Sequence, residues 1–495
     1  MRPPRLFLLT LVFIAGLVGG CAGMYFKGAG PPPPAPDRTL DAWPYREYWQ
    51  GIVFNGARIG FAHLTITPAP DAANQFDVHA DAAFVLRLLG LEKKFTFKAR
   101  DRVNADLSLA GFDYDFDLDG SHRRLHGRVR DGVLEAEVYT RGRDESKRLP
   151  VKGPVYPMNA LSLYPVLHGL AVGREHRYTV FDGELLTLVE ARQRVEAYET
   201  SELFAGPAFK LRTEVHGHTT RTWFNARGLP VFELALNGVL ISALEDEHRA
   251  RRYLAQASLN KQEVLLDFSR VPVDRPIPLP RTRRALDIAF TGLDAARLPP
   301  ADAVQRCTAE GSEVRCRVRT ALAAPNENPS RDANSARYLE PTLAVPSVAP
   351  GIRDTAAQIA TGAAEDRERV THLVEWIQKN IERKPVDVFS ALDVLENRQA
   401  ECQGHAYLFA AFARSLGIPT RVVNGLVYLE EANGFFYHTW NESLLGTAWL
   451  PVDPTFGQVG ADATHVKLIE GETSLELAPL LDVIGRVQAR VISYE

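Results

Sequence analysis

The sequence predicts a multidomain α+β protein: a large antiparallel β-rich N-terminal region followed by a C-terminal α+β domain. Three observations point there. The chain has 495 residues, more than one ordinary hydrophobic core organises. From about Trp49 to Phe268, short runs alternate apolar and polar residues, as strands with one buried face do. Beyond about residue 351 the apolar spacing becomes helical and then returns to strands. The expected units are an export segment over 1–29, a proline-rich linker over 30–44, a β-rich domain over 45–275, a small β-rich connecting region over 276–350, and a final domain over 351–495.

Arg2 and Arg5 precede an apolar run from Leu6 to Phe26 that Lys27 closes. Two readings stay open. Val18-Gly19-Gly20-Cys21 resembles a bacterial lipobox with Cys21 as the lipidated residue, and the same run is long enough to span roughly 30 Å of hydrocarbon as an uncleaved anchor. Both export the rest of the chain and tether it outside the globular fold, with the bacterial periplasm and cell envelope as the expected location. Leading positive charge favours a cytoplasmic N-terminus. Pro31–Pro34 and Pro36 then read as a stiff spacer holding the globular part off the membrane.

The β-rich region contains Ile59–Ile66, Phe95–Arg100, Phe112–Asp117 and Phe209–Val215, separated by turn signals such as Asp119-Gly120 and Asp131-Gly132. Phe112, Tyr114 and Phe116 form the stripe expected of a core face. A more helical interval falls between Met158 and Leu170. No Gly-rich phosphate loop, HExxH or paired-cysteine zinc spacing occurs here, so no cofactor and no metal is expected. The net charge of -4 gives no electrostatic case for nucleic acid. A sheet this large offers a surface for a peptide, glycan, lipid or another envelope protein.

Cys307 and Cys316 flank a polar stretch containing Gly311, which suits a hairpin crossbridged by a disulfide; two free thiols in adjacent strands is the alternative. Cys402 remains unpaired. Helical spacing over Ala357–Ile381 is followed by a short helix over Ala391–Asn397. Glu401-Cys402-Gln403-Gly404-His405-Ala406 then opens a further helix that Gly417 and Pro419 stop. At a helix start, free N–H groups and the dipole favour a thiolate and can support an oxyanion. Strands over Arg421–Leu429, Phe435–Ser443 and Trp449–Thr455 follow, placing His438 and Asp453 on neighbouring antiparallel strands. A carboxylate there can fix the tautomer of an imidazole that deprotonates the thiol.

A helix-start cysteine, a His-x-Trp strand and a Trp-x-Pro-Val-Asp-Pro strand together resemble the transglutaminase-like superfamily. The likeness extends to Ser415–Arg421 and to Thr455–His465, the latter similar to a bacterial envelope subgroup. The resemblance covers about the last 140 residues of the chain. It implies a papain-like α+β fold with Cys402 as nucleophile, His438 as base and Asp453 as the orienting third member. One departure is Ala400, where a glycine is usual. Gln403, His405 and Trp440 are candidates for oxyanion or substrate contact, and His465 for packing or lining the cleft. The implied function is a cell-envelope thiol enzyme acting on amide or peptide bonds through a thioester, as peptidase, amidase or protein-glutamine acyltransferase. Its substrate would be a protein, a peptide or a peptidoglycan peptide. The alternative is a non-catalytic envelope assembly or binding protein that works through the β region, with the thiol domain as scaffold. A redox thiol is disfavoured because Cys402 has no CxxC partner.

Overall fold

The computed structural model describes residues 26–34, 36, 38–88, 91–141, 143–259, 269–320, 335–472, 474–477, 479–480 and 485–495. Cys21 and most of the apolar N-terminal run lie outside these residues. No helix among the described residues is long and apolar enough to cross a membrane.

The N-terminal region is one 16-stranded sheet, almost wholly antiparallel. Its two edges are the Arg143–Pro150 and Val155–Pro157 strands, which are close neighbours in the chain. Two Asp-Gly hairpin turns place both residues at positive φ, at Asp119-Gly120 and Asp131-Gly132, as tight two-residue turns between twisted strands require. The sheet curves around an interior that the Ala160–Leu167 helix helps to fill, so that Leu163 and Val166 pack with Ile66, Phe76, Val180 and Phe209. Phe112, Tyr114 and Phe116 are buried in a second cluster with Phe181 and Leu134. Asp101 is fully buried there. It accepts hydrogen bonds from Tyr114 Oη at 2.6 Å and Asn159 Nδ2 at 2.7 Å, and burial pushes its carboxyl up to about 6.

The beginning of the described chain differs from the sequence expectation. Phe26–Gly28 forms a strand paired with Glu199–Ser201, and Phe26 stacks on Trp223 with ring centroids 4.7 Å apart. The end of the apolar run therefore belongs to the globular fold. Burying two aromatic faces outweighs leaving Phe26 in an extended tether. The prolines at 31–34 run exposed after this contact rather than before the fold.

A four-stranded sheet follows, in the order Gln305–Glu310, Glu313–Arg319, Ala285–Thr291, Gln488–Tyr494. Cys307 and Cys316 face each other across the first hairpin and are joined by a disulfide. The chain's last strand thus completes a sheet begun some 200 residues earlier. Ile288, Phe290, Val314 and Val318 of this sheet pack on Leu426, Tyr428, Phe435 and Val466 of the last domain.

In the last domain the Cys402–Ser415 helix is buried along most of its length against the Pro350–Ile359, Asp366–Asn380 and Ala391–Asn397 helices. Glu365 and Glu368 form a capping box at the start of the second of these, and the Ser390 side chain caps the third. The helices lie on a six-stranded sheet whose path runs Gln458–Val459, Ala448–Asp453, Gly434–Leu445, Thr420–Leu429, His465–Glu470.

The β region docks close to the start of the Cys402 helix. The Asp387 backbone N–H donates to Asp119 at 2.9 Å, the Phe389 N–H donates to Ser121 Oγ at 2.8 Å, and Ser121 Oγ donates to Asp393. Arg141 pairs with Glu396 at 2.9 Å.

Candidate active site

Cys402 is the first residue of its helix, and Glu401 before it is extended. The sharp entry needs close packing. A Cβ built on Gly404 would lie 2.6 Å from Ala400 Cβ and 3.0 Å from Val394, so the Ala400 methyl fills the space that glycine at 404 leaves open. The departure at Ala400 is accommodated two residues beyond the cysteine.

Cys402 is the free cysteine among the described residues. Its thiol lies against the backbone N–H of Thr439, the residue after His438. The helix-start argument predicts a lowered thiol pKa; instead burial, with the Glu401 carboxyl next, pushes it up to about 12. One turn of helix dipole and one backbone N–H do not offset the loss of water around an anion. The resting group is a thiol.

His438 and Asp453 meet as adjacent-strand geometry predicts. Nε2 of His438 donates to Asp453 Oδ2 at 2.8 Å, and both side chains are buried. With Nε2 occupied by its proton, Nδ1 is the nitrogen with a free lone pair. Burial holds His438 below the ordinary histidine value despite the neighbouring carboxylate, so the ring is neutral near neutral pH. Trp440 stacks on His438 at 6.1 Å between centroids, on the same strand face as alternation predicts. Phe456 packs on the ring at 5.2 Å.

Asp453 has more partners than sequence reasoning found. Its Oδ1 accepts the backbone N–H groups of Thr455 and Phe456 at 2.7 and 3.1 Å. Its Oδ2 also accepts Nε2 of His465 at 2.9 Å. Burial alone would raise this carboxyl, but His438 and His465 hold it well below the usual carboxylate range. The donor atoms of His438, Asp453 and His465 lie within 4.8 Å of one another. Both imidazoles donate to the same oxygen, so the three side chains form one hydrogen-bonded set.

Gln403 and His405 are not brought to the thiol by their hydrogen bonds. Gln403 Nε2 donates to Tyr407 Oη at 2.5 Å, one helical turn on, and His405 Nδ1 donates to the Glu401 carbonyl at 2.8 Å. Both bonds are to residues one helical turn away.

A group from the β region stands beside Cys402. Lys93 Nζ lies 2.7 Å from Asp387 and 3.0 Å from Glu401, the residue before Cys402. The two carboxyls also hydrogen-bond each other. Burial and the Asp387 charge raise Glu401 well above its ordinary value, while Asp387, despite burial, is held below its own by the Glu401 hydrogen bond and the Lys93 ammonium.

Gly425 pairs with His438 on one side and Lys467 on the other. A Cβ there would lie 2.1 Å from the Val466 carbonyl and 2.8 Å from the Trp440 ring. Gly425→Ala is therefore expected to cost about 3 kcal/mol of stability by overpacking, read as a lowered Tm. It would also displace the strand that carries His465.

Residues 353–454 match the family model of the transglutaminase-like superfamily. Kyphoscoliosis peptidase of Mus musculus is 29% identical over 134 residues, covering 24% of this chain and 20% of that protein. The chain spans about a fifth of the length of the curated relatives it matches. Among solved structures, a candidate cysteine protease from Cytophaga hutchinsonii is similar at 14% identity and a TM-score of 0.30, covering 43% of this chain and 86% of that one. The periplasmic domain of TgpA from Pseudomonas aeruginosa is similar at 19% identity and a TM-score of 0.26, covering 38% and 87%.

Proposed function

Taking as premise that residues 353–454 form a transglutaminase-like domain, we propose that the chain is a thiol enzyme that cleaves or transfers amide bonds through a thioester on Cys402. The observation that carries this reading is the 2.8 Å hydrogen bond between His438 Nε2 and Asp453. The His438 Nε2–H is committed to Asp453, which leaves Nδ1 as a base in a buried site.

In the proposed cycle the Cys402 sulfur attacks an amide carbonyl while His438 Nδ1 takes the thiol proton. Backbone N–H groups at the helix start support the oxyanion. As the C–N bond breaks, the leaving amine takes the proton from His438, and a thioester remains. Water or a second amine then attacks the thioester with His438 again as base, releasing an acid or a new amide and restoring the thiol. A neutral thiol and a neutral imidazole make this general-base chemistry rather than attack by a preformed ion pair. The name of the mouse relative favours hydrolysis. The apolar N-terminal run and Cys21 favour a place in the bacterial cell envelope, tethered to a membrane, with peptides or peptidoglycan peptides as substrates.

The test is incubation with a library of peptide, protein and peptidoglycan amides in the presence of hydroxylamine. Hydroxamate products and an acyl adduct mapped to Cys402 are expected, and Cys402→Ala should lose both. Wild-type protein that forms neither would reject the proposal. A related expectation is that iodoacetamide labels Cys402 slowly at neutral pH, with a rate rising roughly tenfold per pH unit into the alkaline range, as a raised thiol pKa demands.

A further inference from the structure

His465 lies outside the 353–454 match, on the strand beyond Thr420–Leu429, yet it shares an oxygen of Asp453 with His438. Its other nitrogen, Nδ1, is 3.1 Å from the Asp462 carbonyl oxygen and 3.5 Å from the Asp462 carboxylate. Both ring nitrogens thus face acceptors. A neutral imidazole would have to aim one lone pair at an oxygen inside a buried site, whereas an imidazolium donates to both.

The surroundings are built to hold that charge. Asp462 is buried and is itself fixed by Arg281 at 2.8 Å, by Gln458 Nε2 at 3.0 Å, and by the Thr464 backbone N–H at 2.8 Å. Arg281 also lies over the Phe456 ring at 4.3 Å, and that ring touches His438 and His465. A chain of alternating charge therefore runs from Arg281 through Asp462, His465 and Asp453 to His438. Burial pulls His465 down, but Asp462 and Asp453 outweigh it and raise the ring to about 9. Other charges facing the two imidazoles are few. Arg383 lies over Phe456 at 4.9 Å and lowers His438. On the far side of Trp440, Lys467 is compensated by Glu442 and Asp302. His405, also within range of Asp453, is kept below the ordinary histidine value by burial.

We infer that His465 is a positioning residue of the triad, a fixed imidazolium that compensates Asp453 and so keeps His438 neutral and competent as a base. The inference rests on the reading of Cys402 and His438 as nucleophile and base. Its physical content is a division of labour on one carboxylate. Asp453 must orient His438, yet an uncompensated buried anion would also drive that ring to imidazolium and remove its lone pair. A second, permanent cation on the same oxygen permits orientation without protonation.

The experiment uses the full chain labelled with 15N-histidine, with signals of His438 and His465 assigned by substitution. Wild type, His465→Gln and Asp462→Asn are titrated from pH 5.5 to 9.5. In wild type at pH 7.5, His465 is expected to carry protons on both nitrogens and His438 on Nε2 alone. In folded His465→Gln, the His438 midpoint should rise by about one pH unit. The acid limb of amide turnover should move up with it. Asp462→Asn keeps the carbonyl acceptor and should give a smaller shift in the same direction. A neutral His465 at pH 7.5, or an unmoved His438 midpoint in both folded variants, overturns the inference. If the titrations behave as expected and no amide is turned over, the enzymatic reading fails while the charge arrangement stands.

Discussion

Replacing Asp453 with asparagine is expected to lower acyl transfer at Cys402 by about 10³–10⁴-fold, as when an amide replaces the carboxylate of other catalytic triads. The carboxamide keeps the shape but changes the sense of the hydrogen bonds. If its oxygen serves the Thr455 and Phe456 N–H groups, its NH2 faces the Nε2 atoms of His438 and His465, which now donate to Asp453. His438 then has to move its proton to Nδ1, where it can no longer accept one from the thiol. His465 loses one of its two anions at the same time and keeps Asp462. Asp453→Ala goes further, removing the acceptor of four buried donors, and should cost about 3–5 kcal/mol because those donors are left unsatisfied. The pH dependence carries a sign for each group. Asp453 is depressed, so its contribution is present above the ordinary carboxylate value and fades as pH falls below it. His465 is raised to about 9, so its contribution is present below the ordinary histidine value of 6.5 and is lost as pH rises through about 9. Thermal denaturation from pH 3 to 10 should show both limbs in wild type and shallower ones in Asp453→Asn, where Asp462 still faces His465. An alkaline limb as steep in Asp453→Asn as in wild type would show that Asp453 does not contribute to it.

Lys93→Met is expected to weaken the chain by about 2 kcal/mol and to depress Cys402 reactivity, although position 93 lies in the β region. The ion pairs with Asp387 and Glu401 keep some water access, so the loss falls short of that for a fully buried pair. Without the ammonium, the two carboxyls next to the nucleophile retain only each other, and any ionisation of Glu401 disfavours a developing thiolate. Glu401→Gln removes that penalty. The double variant Lys93→Met/Glu401→Gln should therefore recover reactivity relative to Lys93→Met alone, measured as the alkylation rate of Cys402 across pH. Additive losses in this cycle would mean that Lys93 acts on the nucleophile only through docking. The Ser121 and Asp119 contacts to residues 387–393 would then carry the effect.

Much of the local structure was legible in the sequence because backbone geometry writes it there. Apolar spacing and the Gly417-Pro419 stop located the Cys402 helix, and alternation put His438 and Asp453 on adjoining strands with Trp440 on the histidine's face. The Cys307–Cys316 hairpin followed from a turn glycine between two alternating runs. What the sequence left out are contacts that no period records. His465 reaches Asp453 because strand order folds its strand in beyond Thr420–Leu429, over the space left by Gly425. Arg281 and Lys93 arrive from far earlier in the chain. The protonation states were decided there too. A helix start by itself favours a thiolate, but the packed surroundings of Cys402 reverse the balance, because desolvation depends on everything that surrounds an atom and not on its neighbours in the chain. The sequence by itself determined which groups are the candidates for the chemistry; tertiary structure decided their charges, because only the assembled fold sets how much water and which counter-charges each one meets.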